Sequence, residues 1–250
     1  EWNGIGEPRF TGAQNYSMLF KEYMFWDALK NTVIYWITGV ILILALGLLI
    51  SGLLNYNRLR GRAFFKSATY LPNICAVIAM GIIFSMLFEK NTGLINEVIF
   101  AMGANKVDWL TGTRFSKIPV IALNVWRNTP WFTMILLSGL LNISPEYYEA
   151  AKVDGANAFQ RFFKITLPSL SNVMFFCFIT LTADSWKIFN EPFMLQGPGT
   201  SNVSLFQYMY ESGFNVFKLG YASSIGCMLT LILLIVSVIQ FIIRMKQGEV

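Results

Sequence analysis

Charged and amide side chains are scarce in this chain, and their positions decide what chemistry it can do. Three groups stand out in or beside long apolar runs. They are Arg127 with Asn128, then Asp184 with Lys187, Asn190 and Glu191, and the cluster of Glu146, Glu149, Lys152 and Asp154. None of them builds a Ser-His-Asp triad or a zinc-protease motif, because the chain contains no histidine. No Gly-x-x-x-x-Gly-Lys-Ser/Thr loop is present, so the chain does not bind a nucleotide in that way. Cys75, Cys177 and Cys227 all fall in apolar runs and read as small buried hydrophobes, with no disulfide framework and no metal cluster. What remains is recognition: polar groups in an apolar wall are expensive unless they face a cavity or a partner.

Arg127 lies nine residues beyond the start of its apolar run, about 14 Å along a regular helix. Two readings stand side by side: an arginine snorkelling beside Trp126 and Trp131, or a cavity group with Asn128 and Thr129 next to it. Pro130 adds to the second reading, since it frees a backbone carbonyl one turn earlier. Asp184, Lys187 and Glu191 fall at helical spacing, which suits an internal ion-pair row. The functional alternative is that Asp184, Trp186, Lys187 and Asn190 line a pathway. A stacking aromatic with hydrogen-bonding neighbours suits a sugar ring, which has an apolar face and many hydroxyls. If Arg127 and Lys187 both face the cavity without compensation, an acidic sugar is favoured; Asp184 and Glu191 are placed to neutralise Lys187.

These groups sit on a chain of 250 residues that is 55% hydrophobic and only 13% charged, too apolar for an ordinary soluble domain. It reads as an integral, all-α, multi-pass helix bundle. Five apolar runs are long enough to cross a bilayer: residues 31–54, 67–88, 118–142, 165–183 and 219–243. Pro72 falls near the start of the second, where its missing amide does least harm. Between the first two runs Arg58, Arg60, Arg62 and Lys66 occur with no acid, which places that loop in the cytoplasm. Residues 1–30 then form an external segment, 31–243 the membrane core and 244–250 a cytoplasmic tail. The net charge of +5 is modest, and no basic tract suited to nucleic acid appears.

Counting spans puts residues 144–168 on the arginine-marked side. Ser144 is a natural N-cap, Pro145 suits the first turn, and Glu146 and Glu149 complement the positive end of the helix dipole. Gly155 stops this helix. Ala150 and Ala151 leave a face bare of bulk, where another protein can come close. In the following helix Phe159, Phe162, Phe163 and Leu167 form an apolar stripe expected to pack on the membrane core.

The residue order here is specific. Glu149-Ala150-Ala151, Asp154-Gly155-Ala156, Phe162 and Ile165-Thr166-Leu167-Pro168 resemble the EAA loop of permease subunits of binding-protein-dependent ABC importers, in the form found in the carbohydrate-uptake branch. The resemblance implies a type I importer permease fold. It also implies that Glu149, Ala150, Ala151, Asp154 and Gly155 couple the chain to an ATPase. Implied partners are a second homologous permease, two cytoplasmic ATPases that bind the ATP and Mg, and an extracytoplasmic solute-binding protein. The setting is the cytoplasmic membrane of a bacterium or archaeon. No cofactor is expected on this chain itself, and it is not an enzyme. Sugar permeases of this kind place substrate contacts in the regions matching Trp126 to Trp131 and Asp184 to Asn190. Phe10-Thr11-Gly12-Ala13-Gln14-Asn15-Tyr16 is similar to the external segment that precedes the family's conserved core, which implies one or more upstream spans. The competing class is a secondary carrier driven by protons or sodium. Such carriers use intramembrane carboxylates, and here Asp184 at the edge of a span is the one candidate relay.

Overall fold

The computed structural model describes residues 2, 6–7, 9–56, 60–246 and 248, and these are helical with no strand. Arg58 of the basic loop and residues 247, 249 and 250 of the expected tail lie outside the described residues. In chain order the helices are α1 (Gln14–Lys21), α2 (Tyr23–Asn55), α3 (Arg62–Ile74), α4 (Val77–Leu87), α5 (Leu94–Ala101), α6 (Lys117–Leu141) and α7 (Pro145–Val153). They continue with α8 (Ala158–Arg161), α9 (Leu167–Ser169), α10 (Ser171–Trp186), α11 (Asn190–Met194), α12 (Leu205–Tyr210) and α13 (Leu219–Lys246). Two π-helical segments, Phe162–Thr166 and Glu211–Asn215, join α8 to α9 and follow α12.

Helices α2 and α13 are each long and apolar enough to cross a membrane, and up to four segments qualify if each of two bent pairs is one span. Five straight spans are therefore not what the chain forms. The first bent pair is α3 with α4, which meet at 92°. Pro72 sits in the last turn of α3, and Cys75 adopts an extended backbone that ends the helix. The proline thus terminates a helix instead of opening one. The second pair, Ala158–Ser169 with Ser171–Met194, bends by 67°. Here the amide of Leu167 donates to the carbonyl of Phe162, one residue wider than an α-helical bond. Pro168 stands next to that bulge, where a regular turn would need its missing amide. Helix α6 has the length to span, but Asn124, Arg127 and Asn128 interrupt its apolar surface.

The first long helix starts at Tyr23, eight residues before the expected span, because Phe25 and Ala28 are buried against Leu205, Ile225 and Leu229. Packing against α12 and α13 extends the helix through the charged residues Asp27 and Lys30. At the other end α13 continues through Arg244, which was assigned to a tail. Arg244 is 7% exposed and donates to Asn172 Oδ1 at 2.6 Å.

The main core joins α2, α6 and α10 through Val40, Ile43, Phe132, Leu136, Cys177 and Leu181. Two asparagines then fasten the external loops. The Asn202 side chain donates to the carbonyl of Leu195 at 2.6 Å and accepts from the amide of Gly197 at 2.9 Å. The backbone carbonyl of Asn202 receives the Tyr35 hydroxyl at 2.7 Å, tying the 196–204 loop to α2. Asn96 accepts from Val107 N and Trp109 Nε1, both at 3.0 Å, and so closes the 89–109 loop on α5. In the same loop the amide of Thr92 leads the donors that hold the Glu89 carboxyl below the usual carboxylate range.

Gly81 is where α4 meets α11: a Cβ there would lie 2.6 Å from Cβ of Met194. Gly81→Val is expected to destabilise the solubilised chain by about 1–3 kcal/mol, read as a lower melting midpoint. Gly52 in α2 meets nothing within 4 Å, so Gly52→Ala should instead stabilise by about 0.5–1 kcal/mol.

Candidate functional site

Five of the six pathway candidates meet in one place. Arg127 and Asn128 from α6, Asp184 from α10, Lys187 from the break after it and Asn190 from α11 line a cavity of about 320 Å³. Asn124, Ser185 and Glu191 complete its polar wall, with Leu181, Ile188 and Phe189 supplying apolar surface. The sixth candidate, Trp186, does not line it. Its ring is 2% exposed and lies 5.9 Å from that of Trp36, between α2 and α10. One residue of helical rotation separates it from Asp184–Ser185, and that rotation turns it into the core.

The ion-pair row expected along one helix is also replaced. Helix α10 stops at Trp186, Phe189 leaves the helical region, and α11 restarts the chain at Asn190. Glu191 is thereby carried across to α6, where Oε1 lies 3.6 Å from Arg127 Nε. Glu191 is 4% exposed, so this is a buried pair. Lys187 pairs with Asp184 at 3.6 Å instead, and both of those side chains are more than half exposed. The snorkelling reading of Arg127 is thus set aside, since its charge is directed at a carboxylate inside the protein. Asn128 donates to Asn124 Oδ1 at 2.7 Å, which aligns the two amides along the cavity face of α6. Asn124, Ser185 and Glu191 are the polar members that sequence reasoning did not assign to the wall. The i, i+4 spacing of Asn124 and Asn128 is a signal that could have found the first; Ser185 adjoins Asp184, and Glu191 needed the helix break.

The second site is the acidic turn. The amide of Glu146 donates to Ser144 Oγ at 3.4 Å, and Pro145 occupies the first turn of α7. At its other end the amides of Gly155 and Ala156 donate to the carbonyls of Lys152 and Ala151 at 3.1 and 2.8 Å. That pair of bonds is a Schellman closure, and it requires the left-handed φ of +74° that Gly155 adopts. Asn157 and Gln160 then form a reciprocal capping box that opens α8. Glu149, Ala150, Asp154 and Gly155 are exposed, and Ala151 is half-buried. The phenylalanine stripe packs inward only in part: Phe162 and Leu167 are half-buried, whereas Phe159 and Phe163 are 71% and 48% exposed, their rings 4.5 Å apart and tilted by 46°. What joins this turn to the bundle is the Tyr148 hydroxyl, 2.9 Å from Thr166 Oγ1 in the π segment.

Residues 43–247 match the family model described as a binding-protein-dependent transport system inner membrane component. The chain belongs to this family. It is 32% identical over 239 residues to the arabinooligosaccharides transport system permease protein AraP of Bacillus subtilis, covering 94% of this chain and 76% of that protein. It is 33% identical over 251 residues to the trehalose/maltose transport system permease protein MalF of Thermococcus litoralis, covering 98% and 82%. Among solved structures it resembles a chain of a bacterial ABC transporter involved in the import of the acidic polysaccharide alginate. There the TM-score is 0.81 at 20% identity, over 96% of this chain and 85% of that one. The permease thus shares its helical architecture with a solved ABC transporter chain.

The buried and exposed pairs of this permease should respond differently to truncation. Glu191→Ala, which removes the buried carboxylate facing the quarter-exposed Arg127, is expected to destabilise by about 1–3 kcal/mol. Asp184→Ala, at an exposed pair, should change stability by about 1 kcal/mol or less. Melting of the purified variants checks this, and adding Arg127→Met to Glu191→Ala should recover part of the loss.

Proposed function

We propose that this permease forms the translocation path of an ATP-driven importer for a sugar or oligosaccharide in the cytoplasmic membrane of a bacterium or archaeon. An extracytoplasmic binding protein delivers the cargo, and two cytoplasmic ATPases, which carry the ATP and Mg, drive the cycle. A second, homologous permease completes the path, and the membrane core crosses the bilayer five times. The observation that carries this reading is the capped, exposed turn from Ser144 to Gly155, whose side-chain hydrogen bond to the bundle, among the described residues, runs from Tyr148 to Thr166. Relatives that transport arabinooligosaccharides and trehalose or maltose support the sugar class.

Residues Glu149, Ala150, Ala151, Asp154 and Gly155 are the contact with the ATPase. When ATP binding draws the ATPases together, α7 is displaced and pulls on Thr166 through Tyr148. The π segment and α9 pass that displacement to α10, whose far end holds Asp184 and leads to Lys187, Asn190 and Glu191 of the cavity. Binding energy for ATP thus biases a two-state path through a continuous set of helices.

Two cations and two carboxylates line the cavity, and each cation lies 3.6 Å from one carboxylate. The balance of charge favours a neutral, hydroxyl-rich cargo over an acidic one. Asn124, Asn128 and Asn190 offer the amide donors and acceptors that sugar hydroxyls require. Trp186 acts behind them, holding α10 against Trp36.

Three experiments test this reading. Gly155→Val and Ala150→Asp are expected to cut uptake at least tenfold while the chain still inserts in the membrane, because the first strains the closing turn and the second places a charge on its contact face. Inactivating the ATPase should abolish uptake, and uptake that persists would favour an ion-driven carrier. In competition assays with neutral and acidic oligosaccharides, the neutral ones are expected to be imported; uptake of acidic ones alone would overturn the cargo assignment.

A further inference from the structure

Phe189 is the aromatic member of the cavity wall, and its ring continues into a row that leaves the cavity. It lies 5.0 Å from Phe193, the two planes 24° apart, and 4.9 Å from Tyr210. Tyr210 in turn lies 5.0 Å from Phe214. The four rings come from α11 with the residue before it, from α12 and from the π segment that follows α12. Phe206 holds the row from behind: its ring meets that of Phe189 edge to face at 5.9 Å, and it packs against the core of Phe25, Leu205 and Ile225. The row therefore starts among the polar side chains of the cavity and runs on beyond the end of α10 that is farthest from the acidic turn.

Rings in such a row ordinarily belong to a core, but this one opens outward. Phe193 is 40% and Phe214 61% exposed, while Phe189 and Tyr210 are half-buried. Tyr210 and Phe214 are four residues apart, and across the wide π turn between them the amide of Val216 donates to the carbonyl of Glu211 at 3.0 Å. A wide turn offsets the angular drift of an α-helix, so both rings stay on one side. The Tyr210 hydroxyl makes no hydrogen bond among the described residues. Asn190 and Asn215, both exposed, adjoin Phe189 and Phe214 in sequence. The cavity itself, at about 320 Å³, is at the small end for a ligand pocket, so an oligosaccharide that enters it has units left outside.

We propose that Phe193, Phe189, Tyr210 and Phe214 are a stacking subsite for the units of a neutral oligosaccharide that extend outside the cavity. A sugar ring has a C–H face that lies on an aromatic ring and a rim of hydroxyls that needs donors and acceptors. The row offers both. An acyl chain would use the rings alone and leave the Tyr210 hydroxyl and the two amides unmatched. Continuity with the cavity through Phe189 selects the cargo over a separate ligand. The subsite rests on the sugar class proposed for the cargo and adds to it a dependence on chain length.

The test is uptake by proteoliposomes that hold the complete transporter, with its binding protein and a panel of neutral sugars in two lengths. The panel pairs maltose with maltopentaose, arabinobiose with arabinopentaose and xylobiose with xylopentaose. Phe214→Leu keeps apolar bulk and removes the ring. It is expected to lower pentasaccharide uptake about fivefold, the scale of one aromatic contact, and disaccharide uptake by roughly twofold or less. Tyr210→Phe should lower pentasaccharide uptake about threefold through its hydroxyl, and Phe214→Tyr, which keeps the ring, should stay within about twofold of wild type. Equal losses at the two lengths, no loss at either, or import of disaccharides alone overturns the subsite and leaves the sugar class standing. Import of no sugar in the panel overturns the sugar class and the subsite with it. Phe214→p-benzoylphenylalanine, irradiated during turnover, decides the case if a truncated variant fails to assemble. Pentasaccharide adducts support the subsite; adducts confined to lipid or to a partner subunit sink it.

Discussion

A guanidinium placed well inside an apolar helix bundle must find an anion, and the pairing of Arg127 with Glu191 is the constraint around which the outer half of this permease is arranged. Glu191 reaches α6 only because α10 ends at Trp186 and the chain turns through Phe189 before α11 begins. That turn brings Met194 against Gly81, which fixes where α4 lies. The sharp bend between α3 and α4 then lets α4 follow α11 while α3 stays on α6. A cavity remains where the helices diverge, and its walls hold the few polar side chains that the bilayer would otherwise exclude.

The inner half obeys a different rule. Backbone groups freed by bends in a membrane must be satisfied inside the protein. The Schellman closure at Gly155, the capping box at Asn157 and the wide turn before Pro168 do this in sequence over fewer than thirty residues. Each satisfied terminus adds rigidity. The result is a capped element that, among the described residues, is hydrogen-bonded by a side chain to the bundle at Thr166, next to a π segment that regular helices rarely contain.

Exposed aromatic residues on this turn make the same point from the surface side. Phe159 and Phe163 belong to an apolar stripe of the spacing that ordinarily predicts burial, yet they contact each other in the open. Periodicity reports that a face is apolar; it does not report which surface covers it. For a subunit of a larger machine, covering surface comes from other chains as well as its own.

Local signals alone determined much of this protein. The apolar runs, the N-cap at Ser144, the stop at Gly155, the all-helical class and the family were all legible, because each depends on residues close together in the chain. Tertiary structure alone decided that α2 begins at Tyr23, that Arg244 lies inside a helix, that Trp186 turns into the core, and that Glu191 answers Arg127 instead of Lys187. In every one of these cases the deciding partner lies far away in sequence, and a helix's period fixes which way a side chain points only as long as the helix continues. The two bends are local by contrast, at Pro72 and beside Pro168.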